Sequence, residues 1–300
     1  MEALLTRAAL FGRLSDYLRA LQWSEREVQL WPELGQAHMT LARAQIALHR
    51  FADASAEIRK AEALGVATDR SLPLRSTILE QTVEVEKALP LRRQINANHR
   101  NTINLGKEAA LLARKGDIAK ASALFDEALR VYADVSPFPI AWIHFEQGRM
   151  WEDIEDKGTA MAYYRAALER LPGHVPSISH LAALEADSGQ EDRAIMRLRA
   201  LTSQSDDPAY LGQLAGLILT TGNSGEAQGL IDEASRRFDD LEEQSPGAFT
   251  LKAARFWMGP GGNPGKALVL AQRNAEHRHR YEDRQLLNWA QAAARQDARP

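Results

Sequence analysis

The chain has no cysteine. That absence excludes disulfide frameworks, thiolate zinc sites, iron–sulfur clusters and a cysteine nucleophile. It does not fix a compartment, because a chain without cysteine suits oxidising and reducing surroundings alike. No run of 18 apolar residues occurs, so no membrane-spanning helix is expected. The opening Met1-Glu-Ala-Leu-Leu-Thr-Arg-Ala-Ala-Leu is broken by Thr6 and Arg7 and followed by Gly12 and Arg13. It does not supply the apolar core of a secretory signal. Cytoplasm is the expected location, with the periplasm open only to a chain whose leader has been removed. Charge of one sign is lacking too: 37 Lys+Arg stand against 40 Asp+Glu, a formal net charge of -3. Such a balance gives no broad footprint for nucleic acid or anionic lipid. Neither nucleic acid nor membrane insertion is therefore expected, and any binding patch must be local.

Motifs of catalysis are also missing. There is no nucleophile elbow, Walker loop, dinucleotide fingerprint or HExxH. Gly259-Pro-Gly-Gly-Asn-Pro-Gly265 is glycine-rich, yet it follows a helical pattern and has no lysine of the phosphate-loop kind; it reads as an inter-helix loop. His277-Arg-His279 places two imidazoles two residues apart, which on a helix point about 200° from each other and cannot share an ion. His144 reads as a packing histidine. Acidic pairs such as Glu152-Asp153, Glu155-Asp156 and Asp239-Asp240 diverge on helices, and none has an apolar pocket to raise a pKa; they read as solvated faces. No enzyme activity, cofactor or metal is expected.

What the chain does hold is 45% hydrophobic residues over 300 positions, enough to bury a sizeable core, arranged with an internal period. Ala20, Ala54, Ala88, Ala121, Ala160, Ala194, Ala227 and Ala267 are separated by 34, 34, 33, 39, 34, 33 and 40 residues. Twelve residues before these alanines stand Ala8, Ala42, Ser76, Ala109, Gly148, Ala182 and Ala215, all small. Four residues after come Ile58, Phe125, Tyr164, Leu198 and Ile231, and seven after come Ala61, Ala128, Ala167, Leu201 and Ala234. This is the i, i+4, i+7 stripe of a helix buried on one face. The first, third and last units depart from it at Ser24 and Glu27, at Arg92, and at Ala271 and Asn274. Gly116, Gly189 and Gly222 fall where one helix must end, and Pro32, Pro172 and Pro208 near unit boundaries.

With these columns the chain resembles the tetratricopeptide repeat family. Gly116-Asp-Ile-Ala-Lys-Ala-Ser-Ala-Leu-Phe-Asp-Glu-Ala-Leu is the strongest match, followed by Thr159-Ala-Met-Ala-Tyr-Tyr-Arg-Ala-Ala-Leu-Glu-Arg-Leu-Pro172. The resemblance covers most of residues 1–280, firmly over 35–66 and 102–240. It implies an all-α fold, a right-handed superhelical solenoid of about eight helix pairs, with a capping helix at the C-terminus. Within it, residues 1–66 form the N-terminal units and 67–101 a degenerate unit or hinge, in which Val83-Glu-Val-Glu-Lys makes the turn or one long helix runs between Pro73 and Pro90. Residues 102–280 form the main array and 281–300 the cap and tail, with Leu286, Leu287 and Trp289 closing the last core.

The resemblance also implies that positions 2, 5, 6, 9, 12 and 13 of each unit, counted with the recurring alanine as position 20, line a concave face. In the fifth unit these are Trp142, Phe145, Glu146, Arg149, Glu152 and Asp153. Position 5 offers Met39, Gly106, Phe145, Ser179 and Gly212, so the lysine with which family members hold a peptide's carboxy terminus is absent. Trp151 reads as core and Trp142 does not. Trp142, Phe145, Glu146 and Arg149 recur at i, i+3, i+4 and i+7, forming one stripe, with Lys107 and Arg114 from the preceding unit and His180 from the following one beside it. The expected function is a non-enzymatic scaffold whose groove binds a protein or peptide segment at these seven residues. The alternatives are a sensor enclosing a small molecule or short signalling peptide, and an accessory subunit of an enzyme or larger assembly.

Overall fold

The structure is a computed structural model that describes residues 1–82, 85–278 and 281–297, with backbone alone at 277, 281, 282 and 297. Seventeen α-helices and no strand occur among the described residues. They run in pairs: α1 (Glu2–Phe11) with α2 (Leu14–Leu30), α3 (Gly35–Ala47) with α4 (Phe51–Ala63), α5 (Thr68–Thr82) with α6 (Val85–Asn98), and α7 (Thr102–Arg114) with α8 (Ile118–Arg130). After these come α9 (Pro137–Asp153) with α10 (Lys157–Arg170), α11 (Val175–Asp187) with α12 (Glu191–Gln204), α13 (Pro208–Thr220) with α14 (Ser224–Gln244), and α15 (Thr250–Met258) with α16 (Pro264–His277). A last helix, α17 (Tyr281–Asp297), follows unpaired.

The repeat phase is the packing code. All eight alanines at position 20 have 0% exposure, because at that point the second helix of a pair crosses the first at its closest approach. Only a small side chain fits there, and a larger one would overpack the crossing. The facing column obeys the same limit: at Gly148 a Cβ would stand 2.5 Å from a ring carbon of Tyr164. Between the two helices the chain turns through a left-handed residue at position 15, filled by Gly116, Gly189, Gly222 and Gly262, and by His49 and Glu155 where glycine is missing. Side-chain caps at Asn101, Asp156, Asp207, Asn223 and Asn263 then take up free N–H groups at helix starts.

The chain divides into two compact units, Thr68–Arg197 and a discontinuous one of Met1–Ala67 with Leu198–Pro300. In the discontinuous unit, residues almost 200 positions apart are joined. Asp206 caps the start of α2, accepting from the Leu14 N–H at 2.5 Å and the Ser15 N–H at 3.1 Å. The Ser205 hydroxyl donates to the Gly12 carbonyl at 2.6 Å. An apolar cluster of Leu14, Ala20, Leu41 and Leu48 with Ala248 and Phe249 backs these bonds.

Two expectations need correction. Pro73 and Pro90 do not bound one long helix: they lie inside α5 and α6. Each is sixth in its helix, so the missing N–H removes one bond near the start, where a helix has few to lose. Of the turn expected over Val83-Glu-Val-Glu-Lys87, Val85, Glu86 and Lys87 instead open α6; Val83 and Glu84 lie outside the described residues, as do His279 and the His277 side chain. At the C-terminal end, Leu286 is buried and Leu287 partly so, but Trp289 is 62% exposed and Ala290 closes the core in its place. The buried stripe of α17 is Asp283, Leu286, Ala290; Trp289 sits about 100° round the helix from its centre.

Candidate functional site

The expected site residues all lie in the Thr68–Arg197 unit, where the structure gathers them into two stations rather than one patch. On α9, Trp142, Phe145, Glu146 and Arg149 are all half-buried, at the border between core and solvent. Trp142 lies against the core of α6–α9, with a ring carbon 2.7 Å from where a Gly106 Cβ would stand. Gly106 therefore gives the indole its seat. Trp151, expected as core, is likewise half-buried and touches the clusters on both sides of it.

Phe145 organises the first station. Its ring packs on Tyr164 at 5.9 Å and meets His174 and His180 edge-on, both at 5.4 Å. His180, in α11, places Nδ1 2.7 Å from Oε2 of Glu152, and the Tyr164 hydroxyl donates to that same carboxylate oxygen. The hydroxyl oxygen and the His180 Nδ1 are 3.2 Å apart. Burial pushes the Glu152 carboxyl up, but the bond and charge of His180, the Tyr164 hydroxyl and the charge of Arg149 bring it below its ordinary value. Glu152 therefore stays ionised in a half-buried setting. Burial, and the adjacent Glu152, raise the Tyr164 phenol well above its ordinary range, so it acts as a hydrogen-bond donor throughout. His174 precedes the first residue of α11, bonds the Ser177 hydroxyl at 2.7 Å and is held by burial down at about 4, hence neutral. Arg149 lies 3.8 Å from Glu146.

Lys107 and Arg114 belong to the second station, around Glu80 of α5. Arg92 of α6 is 0% exposed and directs Nε, at 3.0 Å, and Nη2 to the one oxygen Oε1 of Glu80. Arg114 donates to the Glu80 backbone carbonyl at 3.4 Å. The Lys107 ammonium reaches the Thr77 hydroxyl at 3.5 Å. Burial, then the nearby Arg92, lower its pKa, with Glu80 acting in the opposite sense.

The sequence reading put Glu152 on the concave face without a partner, and it missed Tyr164, His174, Glu80 and Arg92 as members of these stations. Glu152 was taken for a solvated carboxylate and Tyr164 for a plain core residue. The available signal was positional: the third and fifth units both carry glutamate at position 12, Glu80 and Glu152, and a polar group at position 24, Arg92 and Tyr164, where the second and fourth carry Ile58 and Phe125. The expected packing role of His144 matches its half-buried state and its 3.0 Å bond to Gln147. A cavity of about 600 Å³ lies elsewhere in the unit, between Tyr132, Pro137, Ile140 and Arg170. Its wall includes Val135, which is 97% exposed, so it is an open crevice. Among the described residues no group of three or more His, Asp or Glu is placed to hold a metal ion, and no helix is long and apolar enough to cross a membrane.

No protein-family model matches the chain, and no curated protein does. Solved structures do. A human IFIT1 dimer with m7Gppp-AAAA matches at 16% identity and TM-score 0.56, over 93% of this chain and 68% of that one. The Cut9–Hcn1 hetero-tetramer of the APC/C matches at 10% identity and TM-score 0.51, over 94% of this chain and 53% of that one. A tetratricopeptide repeat protein from Parabacteroides merdae matches at 14% identity and TM-score 0.48, over 92% and 98%. Identities this low speak to fold alone.

Proposed function

We propose that this all-α chain of tetratricopeptide-type helix pairs is a non-enzymatic interaction module that binds a protein or peptide segment along the α7, α9 and α11 face of its Thr68–Arg197 unit. One observation carries the reading. Glu152 and His180 join successive repeats through a hydrogen bond while their side chains stay 30% and 36% exposed, next to the half-buried rings of Trp142 and Phe145. A surface of aromatic rings, a fixed carboxylate and Arg149 supplies the residue types that anchor interfaces, and it needs no enclosed reaction pocket. A stacked array provides such extended surface as a by-product of its architecture.

The test is selection from a displayed peptide library against the whole chain, followed by binding isotherms with the selected peptide. Arg149→Glu and Trp142→Ala each weaken binding by about 1–3 kcal/mol, and exposed Arg130→Glu on α8 leaves it unchanged. Circular dichroism on each variant separates lost binding from lost structure. Unchanged affinity in both groove variants moves the site elsewhere. Because the IFIT1 structure carries m7Gppp-AAAA, an AAAA oligonucleotide serves as the counter-ligand; it is expected not to bind.

A further inference from the structure

The second station has a charge arrangement that its own fold does not complete. Arg92 occupies the repeat position held by Ile58, Phe125 and Leu198 in other units, with no exposure at all. Glu80 meets two of its nitrogens through one oxygen, and the third, Nη1, has no partner. That same oxygen also accepts from the Ser76 hydroxyl at 2.7 Å. Lys107 stands beside this pair with a neutral hydroxyl at the outer limit of hydrogen bonding as its contact. No carboxylate among the described residues lies within ion-pair distance of its ammonium. Lysine carries three N–H donors, and among the described residues one of them meets an acceptor, the Thr77 hydroxyl. A half-buried ammonium left this way is held at a cost that an incoming anion relieves.

We propose that the α5–α7 end of the binding face receives the side-chain carboxylate of an acidic peptide segment, seated on Lys107 and favoured by the positive field of the buried Arg92. The proposal rests on the peptide-binding reading above and specifies its ligand. Since α7 packs directly on α9, and packed helices lie about 8–10 Å apart, an extended chain at about 3.3 Å per residue puts the carboxylate about three residues from an apolar side chain held at Trp142 and Phe145. A side chain is favoured over a chain terminus because the face continues on α9 and α11 without the lysine at position 5 that would hold a terminal carboxylate.

The test uses the full chain and twelve-residue peptides with both ends blocked, each bearing one leucine or phenylalanine and, two to five residues away, glutamate, glutamine, lysine or phosphoserine. Glutamate at a spacing of about three is expected to bind about tenfold tighter than glutamine. Lys107→Met is expected to abolish that difference while leaving affinity for the glutamine peptide unchanged, and Trp142→Ala to weaken both peptides equally. Equal binding of glutamate and glutamine peptides, or a preference that survives Lys107→Met, overturns the proposal. So does tighter binding of phosphoserine, or of an acid-free peptide with an unblocked C-terminus. If no peptide binds, the interaction reading fails, and the site is judged by a second measurement: the Lys107 side-chain carbon resonance, assigned with Lys107→Met, during titration with sodium glutamate at fixed ionic strength. A saturable shift confined to Lys107, with a raised pKa, sustains the anion site; a flat response overturns it.

Discussion

Glu80 with Arg92 and Glu152 with Tyr164 occupy the same two positions of the repeat, two repeats apart, and use them in opposite ways. In the third repeat the position that packs between helices holds a guanidinium with no exposure, and the side chain of Glu80 is 11% exposed. In the fifth it holds a phenol that is fully buried as a ring, yet its hydroxyl reaches a carboxylate 30% exposed and shared with His180. Tyrosine has one donor to satisfy and a large apolar body, so it fills the slot as Phe125 does and still delivers a polar tip at the surface. Arginine has five donors and a full charge, so the slot must be given over to its counter-ion. One backbone position thus yields a sealed ion pair or an open network according to how many hydrogen bonds its occupant demands.

The sharpest way to break the comparison is Glu80→Leu, which strands the buried Arg92 charge. A loss of about 3–5 kcal/mol is expected in urea unfolding, with most of it recovered in the Glu80→Leu/Arg92→Leu double variant. If the single variant is as stable as the parent, the pair is not buried in solution. Next in size is pH dependence, which belongs to the fifth-repeat station through His174. Its folded pKa of about 4 lies below the ordinary 6.5, so the unfolded chain takes up this proton first. The stability it confers is complete above pH 6.5 and is lost as pH falls from 6.5 toward 4, by about 2–3 kcal/mol. His174→Gln should flatten that part of the stability curve; an unchanged slope would assign the loss to other groups. Smallest is Tyr164→Phe, which keeps the ring and removes one donor from a partly solvated carboxylate. It should cost about 1 kcal/mol, and the cost should vanish when Glu152→Gln is already present, as a double-mutant cycle would show.

The helix pairs were legible because their signal is local and steric: a small residue at each crossing recurs in phase, and all eight alanines named from the period are fully buried. The stations were half legible. The α9 stripe follows from helical spacing within one segment, and Trp142, Phe145, Glu146 and Arg149 are all half-buried. The partnership of Glu152 with His180 spans 28 residues and depends on how consecutive repeats stack, which no spacing within a helix reports. Arg92 was visible as a departure from the pattern, but a departure does not name its partner. Trp289 shows the opposite error: size and apolarity suggested the core, while the face set by Asp283, Leu286 and Ala290 left it outside.

The cap that Asp206 places on α2 sets an order of events during synthesis. The Leu14 and Ser15 N–H groups leave the ribosome 192 and 191 residues before the carboxylate that accepts from them, an interval of roughly 10–40 s at ordinary elongation rates. Through that interval the first two helix pairs have neither this cap nor the Ala248–Phe249 cover of their apolar side. Residues 1–67 therefore wait longest for these partners, and a product ending before residue 206 lacks both the cap and the cover.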